Sequence, residues 1–417
     1  MASSSRIIVY YMKACIITIG NELLQGFTTD SNSTWIGNSI RRIGVDIVEK
    51  VVIGDNYNQI VESIERVFSK EYDYIFITGG LGRTHDDITK EAIKKISHSS
   101  EIFDDEYYKV LTERFKNRGI IIPKSNRTQA ITLSNCESIP NEIGTAFGIR
   151  YISGNTQIFV MPGVPQEMKL MMENTIIPMY LPKIVVDRYR TFQTVGIPES
   201  KIFEILDTFI SNNKDKIDIA FLPHHTGVNI RISSSKKEMI EKASIEIRDV
   251  LKDTIYSETG QQLPEIVGLD LVKKGMTVST AESCTGGLIA KLFTDTAGSS
   301  TYFHGGFVTY TNELKNQLLD VSEDSLIKYG AVSEEVAREM ANGCRRKTNT
   351  DIGISATGIA GPGGGTKEKP VGLVYIGIST QYKTIVNKYI FPKNREMNRE
   401  MTAYTALNLV RMNINGK

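Results

Sequence analysis

The chain is short of the residues that most often announce chemistry. It has one tryptophan, five histidines and four cysteines among 417 residues. The cysteines are Cys15, Cys136, Cys284 and Cys344, all far apart and none in C-x-x-C spacing. That pattern gives no zinc signature and no disulfide framework, and it fits a reducing cytoplasm. An excess of one charge is missing too. Lys+Arg is 49 and Asp+Glu is 48, a net charge of +1. A balance this even supplies no broad basic field for nucleic acid or anionic lipid. No apolar run reaches about 18 residues, so no membrane-spanning helix is expected. The apolar segment Arg6–Tyr11 is followed by Lys13 and by Gly20-Asn21-Glu22, without a small-residue cleavage pattern. A signal peptide is therefore not expected, Met12 is a second candidate start, and the expected location is cytoplasmic.

What is present is ordinary globular material. Hydrophobic residues make up 41% and charged residues 23%, enough to build several cores. A length of 417 residues suggests two to four domains at roughly 100–200 residues each. The first part alternates strand-like and helix-like patterns. Ala14–Ile19 and Tyr74–Thr78 read as buried strands, Asp46–Ile53 as an alternating one, and Gln157–Met161 as another before Pro162-Gly163. Helical spacing covers Asp30–Ile43, Tyr57–Phe68, a stretch from about Asp87, and Asp105–Arg118. Strands separated by helices imply a doubly wound parallel sheet with ligands at the strands' carboxyl ends. This domain is placed at residues 12–181.

The rhythm then changes to strand–helix–strand–strand–helix, a small α+β module over residues 182–258. A last α/β domain spans 262–417. There the pattern of strand, glycine-rich loop and helix is expected at Thr277–Phe293, and again around Asp351–Thr357 and Val371–Ser379. A closing helix covers Arg395–Met412.

Five motifs carry possible chemistry. Gly79-Gly80-Leu81-Gly82-Arg83-Thr84-His85-Asp86-Asp87 sits between a strand and a helix. Its glycines admit a ligand to the backbone, and a helix start offers N–H groups to a phosphate. Thr84 or Asp86 would also cap that helix. Gly20–Gly26 with Thr29-Asp30-Ser31-Asn32 closes the first strand on the same sheet edge. Glu22, Asp30, Asp86 and Asp87 could hold a divalent metal through oxygen, although capping explains Asp30 equally well. Ala281-Glu282-Ser283-Cys284-Thr285-Gly286-Gly287 offers hydroxyls, a thiol and glycines at a helix start. Ser283 or Cys284 could be a nucleophile there, and hydroxyl capping around a buried cysteine is the bland alternative. Gly298-Ser299-Ser300 through Tyr310 to Lys315 contains a possible Ser–Tyr–Lys set, in which a buried lysine replaces histidine as base. Ser355–Gly365 is a dense glycine loop after a strand, including Thr357, Gly358 and Gly361, which a ligand could occupy.

Taken together, these strings resemble the CinA family, the competence/damage-inducible proteins. The resemblance runs from Met12 to the end. It rests on A-E-S-C-T-G-G-L, G-S-S-x-Y-F-x-G-G-x-V-x-Y-x-N-x-x-K, G-A-V-S-E-E-V-A and T-G-I-A-G-P-G-G-G-T-x-x-K-P-V-G-L-V-Y in the last domain. In the first it rests on G-x-E-L-L-x-G, G-G-L-G-x-T-x-D-D-x-T and M-P-G-V-P-x-E-M. The first domain also resembles the molybdopterin-binding fold of molybdenum-cofactor biosynthesis proteins, and the middle one a KH fold without a G-x-x-G loop.

The resemblance implies a nicotinamide mononucleotide deamidase in the last domain, needing no cofactor. It implies a metal-dependent ADP-ribose pyrophosphatase in the first, and a homodimer. It assigns the nucleophile to Ser300, with Tyr310 and Lys315 moving the proton. Ser283, Thr285 and Thr357 line the same pocket. Gly286-Gly287 and Arg399 are candidates for the mononucleotide phosphate, and Gly79, Gly80, Gly82, Arg83 and Thr84 for the second substrate. Arg83 stands where the family usually has proline, adding charge and freedom to that turn. The alternatives are a molybdopterin-related binding protein and a competence-associated nucleic-acid module. Neutral charge and the missing G-x-x-G loop weigh against the latter.

Overall fold

The computed structural model describes residues 12–82, 88–182, 189–224, 226–234 and 236–416. They fall into two compact units, Met1–Asp187 and Arg188–Lys417.

The first unit is built on β1 (Met12–Ile19), β2 (Val45–Ile53) and β3 (Tyr74–Thr78). A short antiparallel pair, β4 (Glu101–Phe103) and β5 (Ile131–Leu133), stands apart. The chain then adds β6 (Glu137–Ile139), β7 (Gly148–Ser153) and β8 (Thr156–Met161). The main sheet has the order β2-β1-β3-β8-β7-β6. Strand β1 shows why most of its residues are apolar. Cys15, Ile17 and Ile19 face helix residues Ile60 and Ile64 on one side, while Ala14 and Ile16 face Ile36 and Ile40 on the other. Each fully buried isoleucine contributes roughly 1.5–3 kcal/mol before entropy is charged against it.

The all-parallel expectation holds for β2, β1, β3 and β8 but not for β7 and β6, which run antiparallel. Only Gly154 and Asn155 separate β7 from β8. A two-residue hairpin forces antiparallel pairing, because a parallel return needs a crossover of a dozen residues or more.

The second unit begins with a four-stranded antiparallel sheet. Its strands are β9 (Tyr189–Thr194), β10 (Asp218–His224), β11 (Gly227–Ser233) and β12 (Ile255–Ser257), in the order β10-β11-β9-β12. Helices Glu199–Asn213 and Lys237–Leu251 bring Ile202, Leu206, Ile240 and Ile247 against Phe192, Ile230 and Ile232.

A five-stranded sheet comes next. It contains β13 (Val278–Glu282), β14 (Phe303–Val308), β15 (Ile352–Gly358), β16 (Leu373–Ser379) and β17 (Thr384–Ile390), in the order β14-β13-β15-β16-β17. Strands β14, β13 and β15 are parallel, so their carboxyl ends share one edge. The expected second and third repeats of strand, loop and helix are corrected here. No helix separates β15 from β16, only the glycine-rich loop, and β16 and β17 return antiparallel. The long Arg395–Ile414 helix and helix Leu263–Lys274 cover one face of this sheet, and Glu334–Thr348 the other. Arg411 on the long helix donates to the carbonyl of Ile255 at 3.3 Å, tying it to the four-stranded sheet. No described helix is long and apolar enough to cross a membrane.

Candidate active site

The loop after β13 carries Ser283. Its shape is set by the residue before it. Glu282 is 1% exposed, and its carboxylate accepts the backbone N–H groups of Gly287 at 2.9 Å, Ile289 at 3.0 Å and Ala290 at 2.8 Å. These are the unpaired donors of helix Leu288–Thr294, so the protein supplies the anion a helix start attracts. This corrects the expectation that Gly286-Gly287 receive a phosphate there. Those glycines make the turn instead, with φ of 59° and 93°, a region that disfavours other side chains. Gly286 also donates its N–H to the Ser283 carbonyl at 3.1 Å.

Lys315 lies in helix Asn312–Leu319, beyond β14 in the chain. It is 1% exposed. Its Nζ is 3.2 Å from Ser283 Oγ and donates to the Thr309 carbonyl at 2.9 Å. Burial pushes its pKa down from the usual 10.5, with a smaller opposing influence from Cys284. A lysine kept from water and facing only neutral partners favours its uncharged amine. Nζ is held between the Thr309 carbonyl and the Ser283 hydroxyl. A hydroxyl beside a buried lysine is an arrangement that can serve as nucleophile and base.

Cys284 is next to Ser283, yet burial pushes its thiol up to about 12. A raised pKa disfavours the thiolate, the reactive form of a cysteine. Three threonine hydroxyls on β13 and the loops after β13 and β14 are buried without a partner: Thr280 Oγ1, Thr285 Oγ1 and Thr309 Oγ1. Among the described residues no acceptor takes the Thr285 N–H. Ser283 N–H is spent on the Ala356 carbonyl at 2.9 Å. Buried donors left open beside a nucleophile are suited to a substrate's polar atoms.

The Ser300–Tyr310–Lys315 set is not assembled within one chain. Ser300 lies in the turn Ser299–Thr301, immediately before β14. Tyr310 and Lys315 come after it, and β14 is parallel to β13. Six residues of strand, at about 3.3 Å each, span roughly 20 Å. Ser300 is therefore exposed at the opposite edge of the sheet from Ser283. Tyr310 is at the right edge but 59% exposed, and its hydroxyl accepts from Arg395 at 3.3 Å rather than meeting Lys315.

The remaining residues expected in this pocket fall at the same edge. Thr357 and Gly358 end β15, and Thr357 Oγ1 donates to the Ala331 carbonyl at 2.7 Å. A Cβ on Gly358 would stand 2.6 Å from the Leu373 carbonyl oxygen, so its role there is close packing. The Gly361 carbonyl accepts from Arg395 at 2.8 Å, and the Thr285 carbonyl accepts from Arg399 at 2.8 Å. Arg395 was missed in the sequence. The cue was its spacing, since Arg395 and Arg399 are four apart and share one face of the last helix.

A second cleft lies in the first unit, at the carboxyl ends of β1 and β3. Thr18, Glu22, Asp30, Asn32, Thr78 and Gly163 line it. Asp30 caps helix Ser31–Arg41 by accepting the Ser33 N–H at 2.9 Å, and it accepts from Thr18 at 3.2 Å. Glu22 is exposed. Gly79 and Gly80 have positive φ, and a Cβ at either would come 2.1 Å from the Ile19 carbonyl oxygen or Thr89 Oγ1. Gln129 donates to the Gly82 carbonyl at 3.0 Å. Arg83, Thr84, Asp86 and Asp87 lie outside the described residues. Among those described, no group of three or more His, Cys, Asp or Glu could hold a metal ion. With Asp30 already accepting two hydrogen bonds, the described side chains alone do not make a divalent-cation site.

Comparison with known proteins divides the chain in three. Residues 15–181 match the family described as "Probable molybdopterin binding domain". Residues 189–257 match "Damage-inducible protein CinA KH domain", and residues 260–414 match "CinA C-terminal domain". The "CinA-like protein" of Chloroherpeton thalassium is 40% identical over 97% of this chain and all of its own length. A "Putative competence-damage inducible protein" of Clostridium botulinum is 37% identical over 97% of this chain and all of its own. Among solved structures, competence/damage inducible protein CihA from Agrobacterium tumefaciens is 41% identical. It covers 37% of this chain and 93% of that one, with a TM-score of 0.36. With end-to-end relatives at this identity and all three parts matched, the chain belongs to the CinA family.

Proposed function

We propose that the second unit is an amidohydrolase that converts nicotinamide mononucleotide to the acid and ammonia, with Ser283 as nucleophile and Lys315 as its base. The observation that carries this is the 3.2 Å approach of a buried, carboxylate-free Lys315 to Ser283. Ser283 Oγ attacks the amide carbon while Lys315 Nζ takes the hydroxyl proton. The resulting oxyanion meets the Thr285 N–H. When the intermediate collapses, Lys315 returns that proton to the departing nitrogen, which leaves as ammonia. Water then attacks the ester. Lys315 takes the water's proton and hands it back to Ser283 as the ester bond breaks. Arg399, and Arg395 with it, are the cations available to the mononucleotide phosphate, in place of the helix start that Glu282 occupies. Ammonia release from nicotinamide mononucleotide by the full chain, matched by nicotinic acid mononucleotide, is the expected result. No release at any pH between 6 and 10 would contradict it.

The cleft in the first unit supports a second reading, hydrolysis of ADP-ribose. It is favoured by an acceptor-rich lining at the strand ends, where open α/β sheets bind ligands. Cleavage of ADP-ribose to AMP and ribose 5-phosphate by the full chain tests it.

A further inference from the structure

The Arg395–Ile414 helix has two occupied sides. Ala403, Ala406, Leu407 and Val410 pack on the five-stranded sheet with Ile354 and Ile376. Met397, Met401, Thr405 and Asn408, at helical spacing, form a second stripe. All four are only partly buried. They line a cavity of about 470 Å³ inside the second unit, together with residues 195–199 and the β10–β11 hairpin at Pro223 and Val228. The four-stranded module and the last domain thus meet there without closing. Packed interiors leave few voids larger than a water. A cavity of this size falls within the roughly 300–1,000 Å³ of small-molecule sites, which favour junctions between domains.

The lining narrows the ligand. Tyr389, Phe391 and Tyr404 contribute rings, and Met397 and Met401 contribute polarizable sulfurs. The Tyr389 and Phe391 rings lie 5.7 Å apart and within 7° of parallel. Rings and thioethers are good neighbours for a flat aromatic body. One polar group is aimed at the space. Arg411 donates to Asn408 Oδ1 from Nε at 3.0 Å and from Nη2 at 2.9 Å. A guanidinium only donates, so the amide's oxygen faces Arg411 and its NH2 group points elsewhere. Among the described residues no acceptor takes Nδ2. A Cβ built on Gly196 would meet Nδ2 at 3.5 Å and nothing else beyond its chain neighbours. Gly196 and Asn408 both line the cavity, so Nδ2 borders its open volume. Apart from His224, the charged lining residues are Lys393 and Glu199, one of each sign and both exposed. That balance suits a neutral ligand and not a phosphate ester. A bare base would leave much of the volume empty, and the hydroxyls of Thr226 and Thr405 suit an attached sugar.

We propose that this cavity binds a neutral purine nucleoside, with the base held by the rings and methionines and one of its ring nitrogens accepting from Asn408 Nδ2. The site is separate from the Ser283–Lys315 pair and from the cleft of the first unit, and it needs neither reading to hold.

The experiment is calorimetric binding of adenosine and of AMP to the full chain, as wild type, Asn408→Asp and Met401→Trp. Asn408→Asp keeps the oxygen that Arg411 holds and removes the NH2 group, and Met401→Trp fills the cavity. Wild type binds adenosine with a Kd below about 1 mM. Asn408→Asp weakens adenosine about tenfold, and Met401→Trp weakens it by about tenfold or more. AMP binds wild type no more tightly than adenosine does. A crystal of the wild-type chain grown with adenosine locates the ligand without any variant, and the base is expected beside Met401 and Asn408. No binding of adenosine to wild type overturns the proposal. So does adenosine binding that both variants leave unchanged, or adenosine found elsewhere in the crystal. AMP binding tenfold or more tighter than adenosine overturns the neutral class in favour of a phosphate-bearing ligand.

Discussion

Lys315 Nζ stands 3.2 Å from Ser283 Oγ, although 32 residues separate them in the chain. Parallel strands make this possible. Ser283 comes just after β13 and Lys315 after β14, and two neighbouring parallel strands lead their outgoing loops to one edge. The lysine brings no carboxylate with it. Its second contact is a backbone carbonyl, Thr309, so no opposite charge holds its proton in place.

That environment sets the pH dependence. Deamidation should rise with pH as Lys315 loses its proton, with a midpoint below the ordinary lysine value of 10.5. Lys315→Arg fills much of the space but stays charged, and should lose activity at least a hundredfold across the range. Stability carries the same sign. Between the lowered folded pKa and 10.5 the unfolded chain holds the proton more tightly, so wild-type stability should climb with pH in that window. Lys315→Met should remove that part of the slope. A pH–rate profile and melts at several pH values measure both.

Glu282 is a cap and not a catalyst. Glu282→Ala abandons three backbone donors and should lower stability by about 3 kcal/mol. It should also lower kcat, because the Ser283 loop is no longer held. Glu282→Gln keeps one acceptor oxygen and should fall in between. Thermal unfolding, read beside kcat, tests this ordering.

Cys284→Ala should keep at least a third of wild-type activity, since burial pushes the thiol up to about 12 and disfavours the thiolate. Wild type should also survive brief iodoacetamide treatment. Rapid inactivation blocked by nicotinamide mononucleotide would show the opposite.

Much of this was legible in the sequence. The core of β1 and β3, the helices over Tyr57–Phe68 and Asp105–Asn117, and the closing helix can be read from apolar spacing alone. The antiparallel strands β16 and β17 could not. A glycine loop can precede either a crossover helix or a direct return, and local periodicity does not distinguish them. The Ser300–Tyr310–Lys315 set is the instructive case. Ser300 is close to Tyr310 and Lys315 in sequence, whereas Ser283 is not. Strand direction was the decisive information. A residue before a strand and a residue after it lie at opposite edges, so Ser300 does not meet Lys315 of the same chain across β14.

Arg399 should matter to the phosphate. Arg399→Ala should raise KM for nicotinamide mononucleotide about tenfold and leave kcat within threefold. Against nicotinamide riboside, which lacks the phosphate, the same variant should behave like wild type. An equal loss on both substrates would mean that Arg399 only supports the Thr285 carbonyl it touches.

The most direct test compares two serines. Ammonia release from nicotinamide mononucleotide should be measured for wild type, Ser283→Ala and Ser300→Ala at the optimum pH of the wild type. Ser283→Ala should fall by at least a thousandfold in kcat/KM, while Ser300→Ala stays within threefold. The reverse pattern, with Ser300→Ala inactive and Ser283→Ala active, would contradict the Ser283–Lys315 site.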